Sequence, residues 1–370
     1  MKNKRIAICH QTLLNADAIG RDVMAMCDSL SLIGFEPTIF CEYSDVNTSY
    51  RSRQPDLEVE NINDYEAVIY HHSIYWEKGL ALLNAYDGPA VLKYHNITPP
   101  HFFAPYSTHY EDLCEQGIAL TKRLVGLNGN HFWLADSEFN RADLIALGEQ
   151  PDLIKVVPPF NKIDAILEKP NAADYYSDEP YYALFIGRLA PNKGHATLLR
   201  ILHSYRIHVA NNLVIRFIGT GDVHLASYRA ELETLTQELG LSACVEFVDS
   251  VSQDDLLRLL ATSHVYICAS YHEGFCIPLI EAQASGLPLI VMDSTAARET
   301  AGEGQLLAPE PITDADFRFY SLLLREVFTN ADLRDTIVRK GYQNVTSRFT
   351  QELIENRFIE TLEPLIRRSV

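Results

Sequence analysis

Two carboxylates eight residues apart, Glu273 and Glu281, flank a short apolar stretch, Gly274-Phe-Cys-Ile-Pro-Leu-Ile280. The apolar run before it, His264 to Ala269, is short and β-branched, as a buried parallel strand is. Pro278 suits the first position of a helix, where its missing N–H costs no hydrogen bond. Gly286 stops that helix, and Pro288 opens a further strand, Leu289 to Met292. The pattern is strand, glycine loop, short helix, strand. Backbone N–H groups from Phe275 through Cys276 and Ile277 to Leu279 then lie at a helix start, a natural seat for a phosphate. A phosphate needs no carboxylates beside it. A nucleotide sugar does, because its hydroxyls want acceptors on both sides of the diphosphate.

The rest of the chain supplies the elements that must hold this seat. Arg5 to Cys9 reads as a first strand, the loop 10–21 follows, and a helix from Val23 ends at Gly34 before the strand Pro37 to Cys41. Such βαβ units build parallel sheets with ligands at the carboxyl ends of the strands. Ala67 to His72 and Ala90 to Tyr94 are further strands, so His95 stands at a strand's carboxyl end. The histidines 71, 72, 95, 101 and 109 lack the spacing of a known metal site, and no metal is expected. The aromatic segment Thr98 to Tyr110 is a candidate surface for sugar rings. Phe132 to Ser137 and Leu153 to Val157 close a first domain over residues 1–162. Residues 163–180, polar with two prolines, read as a linker, and Tyr181 to Gly187 opens a second domain over 181–350. Asn212 to Gly219 is a strand running into Gly219-Thr220-Gly221, a glycine loop that alone is a weak signal. Val245 to Val251 is another strand, and residues 293–301 read as a loop. Asp314-Ala-Asp316 has the form of a metal-binding pair, but Thr313 with Asp316 fits a helix cap better. Residues 351–370 form an amphipathic helix with Leu353, Ile354, Phe358, Ile359 and Leu362 as its apolar positions.

Glu273-Gly-Phe-Cys-Ile-Pro-Leu-Ile-Glu281 resembles the E-x7-E signature of retaining glycosyltransferases with the GT-B fold, and Gly187-Arg188 followed by Lys193-Gly194 resembles that family's diphosphate clamp. The resemblance is specific over residues 181–300 and general over 1–160. It implies an α/β protein of two Rossmann-like parallel-sheet domains facing a cleft, the first for the acceptor and the second for the donor. The last helix would cross back to complete the first domain. It implies metal-independent transfer of a hexose with retention: the acceptor hydroxyl enters on the face the diphosphate leaves, and a phosphate oxygen takes its proton. Arg188 and Lys193 would stabilise the leaving group, because fixed cations act most where charge develops. Glu273 would hold sugar hydroxyls, Glu281 the ribose, and His95 would lie beside the transferred sugar. Gly187, Gly219, Thr220, Val251, Gly274, Phe275, Cys276 and Ile277 would line the nucleotide. Cys276 stands where many relatives have glycine. In the first loop the family's paired glycines are reduced to Gly20. No cofactor is implied. Tyr94-His-Asn-Ile-Thr-Pro-Pro100 resembles bacterial mannosyltransferases of surface-polysaccharide and lipopolysaccharide synthesis, which favours GDP-mannose over UDP-sugars as donor. The implied acceptor is a glycan or lipid-linked oligosaccharide.

Bulk properties agree. The length of 370 residues suits two domains, and 47% hydrophobic residues suit a globular chain. A formal charge of −18 argues against nucleic acid as a partner, whose phosphates it would repel. Seven scattered cysteines without a C-x-x-C pair read as buried thiols of a reducing compartment. No run approaches the roughly 20 apolar residues of a membrane span. A cytoplasmic protein is expected, with room for peripheral contact at the inner membrane surface. Two other readings fit parts of the pattern: a non-catalytic nucleotide-sugar-binding subunit of a transferase complex, and a nucleotide-sugar epimerase of the same fold. A periplasmic sugar-binding protein would need a signal peptide, which residues 1–11 do not supply.

Overall fold

The computed structural model describes residues 4–14, 17–56, 61–125, 131–168, 179–249 and 251–367. Most of the expected linker, Ser250 and the extreme termini lie outside them. The chain divides into two units, residues 1–97, 113–161 and 350–370 in the first, and 98–112 and 162–349 in the second.

In the first unit the elements run β1 (Arg5–Cys9), β2 (Thr12–Leu13), α1 (Ala18–Leu32), β3 (Glu36–Phe40), β4 (Tyr43–Ser44), β5 (Arg51–Arg53), β6 (Ala67–His72), α2 (Glu77–Ala85), β7 (Ala90–Tyr94), α3 (Thr108–Val125, which begins in the second unit), β8 (His131–Ala135), α4 (Glu138–Ala146) and β9 (Ile154–Val156). Seven strands form one sheet in the order β5-β3-β1-β6-β7-β8-β9, with parallel pairing throughout. The central strands are buried on both faces, which is why they read as unbroken apolar runs rather than alternating ones. Helix α1 starts five residues earlier than its apolar periodicity suggests, because Asp17 caps it by accepting from the Gly20 N–H at 3.3 Å.

The second unit runs α5 (Ile163–Leu167), β10 (Tyr181–Ile186), α6 (His195–His208), β11 (Leu213–Ile218), α7 (Ala226–Glu238), β12 (Val245–Val248), α8 (Gln253–Ala261), β13 (Val265–Cys268), α9 (Ile277–Ala284), β14 (Leu289–Met292), α10 (Thr295–Ala301), β15 (Leu306–Ala308), α11 (Asp314–Thr329) and α12 (Ala331–Arg348). Its six parallel strands are ordered β12-β11-β10-β13-β14-β15. Residues 295–301 are helical where a loop is expected, since Thr295-Ala-Ala-Arg-Glu-Thr-Ala is rich in good helix formers. Residues 98–112 group with this unit although the sequence boundaries put them in the first domain, and α5, inside the expected linker, packs on α9. Thr313 and Asp316 form a reciprocal capping box, so the Asp316 carboxylate caps the start of α11, as expected.

The last helix, α13 (Gln351–Arg367), belongs to the first unit. Its Ile354, Phe358, Leu362 and Ile366 join the core of Ile6, Ile8, Val23, Met26 and Phe160, with the Phe160 and Phe358 rings edge to face at 5.8 Å. Leu353, expected on the apolar face, is 38% exposed. Among the described residues no helix is long and apolar enough to cross a membrane.

Candidate active site

In open parallel sheets ligands settle where the strand order reverses, outside the carboxyl ends of the strands. In the second unit that point lies between β10 and β13. Gly187-Arg188 leaves β10, and the loop carrying Glu273 and Gly274 leaves β13.

Two glycines let these loops close on one another. A Cβ on Gly194, which has φ +70°, would stand 2.0 Å from the Ala269 carbonyl oxygen. A Cβ on Gly219 would stand 2.0 Å from the Gly187 carbonyl oxygen. Backbone bonds tie the same loops, from the Gly187 N–H to Ile218 O at 2.9 Å and from the Leu189 N–H to Thr220 O at 3.1 Å. The result brings Lys193 Nζ within 2.8 Å of both oxygens of Glu273. Burial alone would lower the Lys193 pKa, but the Glu273 carboxylate more than offsets it and holds the ammonium above its usual range. The loop is fastened from below, where the Glu273 N–H donates to Thr295 Oγ1 at 2.9 Å.

Cys276 caps α9 with φ +78°, a left-handed conformation that favours glycine. Pro278 is the second helical residue, not the first, because the helix begins at Ile277. The Phe275 ring packs on Phe349 at 5.4 Å, and the Ile277 side chain is buried. Phe275 and Ile277 thus leave mainly their backbone to meet a ligand. Glu281 is buried within α9. Arg188 is exposed, with its guanidinium 5.2 Å from the centroid of the Tyr110 ring and Nη1 donating to Tyr110 Oη at 3.4 Å. Tyr110 Oη in turn donates to Asp222 Oδ2 at 2.5 Å. The two cations expected to form a clamp thus rest on different partners. Thr220 is exposed on the glycine loop, and half-buried Val251 follows β12 at the sheet edge.

In the first unit the order reverses between β1 and β6. Parallel register sets His71 beside Lys93 and Tyr94 beside Ala135, which brings His71, His95 and Asp136 together. His95 Nδ1 is 2.8 Å from Asp136 Oδ2, and its Nε2 is 2.9 Å from His71 Nδ1. Lys93, wholly buried, pairs with Asp136 Oδ1 at 2.7 Å and donates to the Val157 carbonyl. Asp22 accepts from the Phe160 N–H at 2.8 Å, and its second oxygen, 3.9 Å from His71 Nδ1, has no hydrogen bond. Both nitrogens of His95 are therefore engaged. Gly20 lies in the first turn of α1, where a Cβ would stand 2.5 Å from the Leu14 carbonyl oxygen, so close packing of loop on helix accounts for this glycine. Lys93, Asp22 and Asp136 were not singled out from the sequence. Their signal was a charge inside or directly beside an apolar run, as in Ala-Val-Leu-Lys93-Tyr.

Burial, and next the charge of His95, holds His10 and His72 down to about 3, and His71 also lies well below its usual value. Burial pushes the Asp22 carboxyl up. Burial would raise Asp136 as well, but His95 and Lys93 keep it low. Below about pH 6.5 the unfolded chain takes up protons that the folded histidines refuse, so stability falls toward pH 3 at about 1.4 kcal/mol per pH unit for each histidine. Asp136 adds to the loss as pH drops through its depressed folded value. Asp22 opposes it, since its raised value favours the folded state as pH falls. Both tryptophans, Trp76 and Trp133, lie in the first unit, so their fluorescence reports on it. Urea unfolding followed this way should show lower stability at pH 5 than at pH 7. A flat profile would mean the histidines are protonated in the fold.

The family model described as glycosyl transferases group 1 matches residues 171–344. The GDP-Man:Man(3)GlcNAc(2)-PP-Dol alpha-1,2-mannosyltransferase of Dictyostelium discoideum is 27% identical over 197 residues, 50% of this chain and 38% of that one. O-antigen chain mannosyltransferase B of Escherichia coli is 25% identical over 280 residues, 72% of this chain and 68% of that one. The sucrose-phosphate synthase of Thermosynechococcus elongatus superposes with a TM-score of 0.79 over 99% of this chain and 100% of that chain, at 18% identity, a likeness of fold. The family match thus covers the stretch that carries Lys193, Glu273 and α9, and the likeness of fold extends over both parallel-sheet units, the two-domain arrangement of the GT-B fold.

Proposed function

We propose that this chain is a retaining, metal-independent hexosyltransferase that moves mannose from GDP-mannose to a hydroxyl of a glycan or lipid-linked oligosaccharide. The observation that carries the reading is the Lys193–Glu273 pair at the start of α9, at the strand-order reversal of the second unit. A diphosphate at the helix start would recruit Lys193, with Arg188 as the second cation. Glu273 would then accept from sugar hydroxyls, and Glu281 from the ribose. The backbones of Gly187, Gly219, Gly274 and Cys276 would lie along the nucleotide. In the reaction the acceptor oxygen bonds to the anomeric carbon and the bond from that carbon to the diphosphate oxygen breaks. The hydroxyl proton passes to a diphosphate oxygen. His95 would serve the transferred sugar through Nε2, the nitrogen now shared with His71.

The mannosyltransferase names among the relatives support the donor, and the O-antigen name supports a surface-polysaccharide acceptor. The working place would be the cytoplasm, at the inner face of the membrane where a lipid-linked acceptor is found. Thermal-shift screening tests the donor, because a ligand of the folded state raises apparent stability by mass action. GDP-mannose is expected to shift the transition more than UDP-glucose or UDP-N-acetylglucosamine at equal concentration. A larger shift with either UDP-sugar overturns the donor assignment. Binding with neither transfer nor slow hydrolysis would favour a non-catalytic binding subunit.

A further inference from the structure

We propose that the donor loop doubles as a binding site for a thiophilic divalent cation, zinc above all, held by Cys268, Glu273 and Cys276. The sulfurs of the two cysteines and a carboxylate oxygen of Glu273 lie within 4.8 Å of one another. Tetrahedral zinc places thiolates at about 2.3 Å and carboxylate oxygens at about 2.0–2.2 Å, which such a cluster can satisfy with small side-chain shifts. Three protein ligands leave a fourth position for water. The ligands come from one local stretch: Cys268 ends β13, Cys276 caps α9, and Glu273 sits on the loop between them. All three side chains are buried, Cys276 least so at 9% exposed, which marks the side of entry.

Charge balance favours the exchange. With the thiols protonated, Lys193 neutralises Glu273, and the buried cluster is neutral. One zinc ion displaces both thiol protons to solvent, and its two positive charges match the two thiolates formed. Lys193 keeps one Glu273 oxygen while the ion takes the other, so no uncompensated charge is buried. Ser270, whose hydroxyl lies 3.5 Å from Cys268 Sγ, supports that sulfur from behind. Spacing alone did not mark this set, because Cys268 and Cys276 are not a C-x-x-C pair. An ion here occupies the carboxylate proposed for the sugar and crowds the helix start proposed for the diphosphate. That consequence rests on the proposed function, whereas metal binding itself does not.

The test uses the reduced full-length chain and Cys268→Ala, a position outside the proposed donor contacts. Cobalt(II) is the spectroscopic probe, and zinc is titrated against it. The wild type is expected to show a thiolate-to-cobalt charge-transfer band at one ion per chain, bleached by zinc, and Cys268→Ala should lack it. Absence of the band in the wild type, or an unchanged band in Cys268→Ala, overturns the site. Separately, saturating zinc should weaken GDP-mannose binding to the wild type about tenfold or more, a coupling of about 1.4 kcal/mol, and leave Cys268→Ala unaffected. A band with unchanged nucleotide affinity would keep the metal site and overturn the competition.

Discussion

Lys193→Ala is expected to lower kcat for transfer about 100- to 1,000-fold, roughly 3–4 kcal/mol of transition-state stabilisation. The cation is held at 2.8 Å from Glu273 on a loop locked by Gly194 against Ala269, so the proposed diphosphate need only draw the ammonium across from the carboxylate. A preorganised charge costs no rearrangement as the glycosidic bond stretches and negative charge gathers on the leaving diphosphate. The effect should fall mainly on kcat, with a smaller rise in KM, since the ammonium meets less charge in the ground state. Circular dichroism and a thermal scan should show the fold retained. Steady-state assay with GDP-mannose and an oligosaccharide acceptor is the measurement. Turnover within about threefold of wild type, a loss under roughly 0.7 kcal/mol, would remove Lys193 from the clamp.

The second large effect is on stability and lies in the other unit. Lys93→Met should destabilise the first unit by about 3–5 kcal/mol, the usual loss when one partner of a buried ion pair is removed. The side chain is 0% exposed, pairs with Asp136 at 2.7 Å, and has nearly the volume of methionine. Packing is thus largely conserved, and the loss isolates the charge. Asp136 would keep its hydrogen bond to His95 but lose its lysine partner. Urea unfolding read by tryptophan fluorescence is the measurement, because Trp76 and Trp133 are both in this unit. The double substitution Lys93→Met with Asp136→Asn should recover part of the loss. A loss under about 1 kcal/mol in the single variant would mean the pair contributes little beyond its own desolvation.

The candidate donor site was legible because its residues are close in the chain. Glu273 through Glu281 form a single loop and helix, so spacing alone sets their geometry. Arg188 and Lys193 come from one further loop. The network around His95 was legible only in part. His95 could be placed at the carboxyl end of a strand, but Asp22, His71, Lys93 and Asp136 come from four different elements. Their meeting depends on parallel register between β6, β7 and β8, which local patterns do not specify. The helix at 295–301 and the docking of 98–112 on the second unit were missed for a related reason. In short segments local propensity is only a weak signal, and what they pack against decides whether it is realised.

Apolar strand runs, glycine stops and the E-x7-E spacing by themselves determined two parallel-sheet units and a phosphate-ready helix start. Each is a short-range consequence of hydrogen bonding and side-chain period along the chain. Tertiary structure alone decided which partner each cation takes: Glu273 for Lys193, the Tyr110 ring and hydroxyl for Arg188, and Asp136 for Lys93. It also decided that Cys268 and Cys276 face one carboxylate. Pairing and burial depend on distances across loops and strands, and those exist only once the sheets have closed.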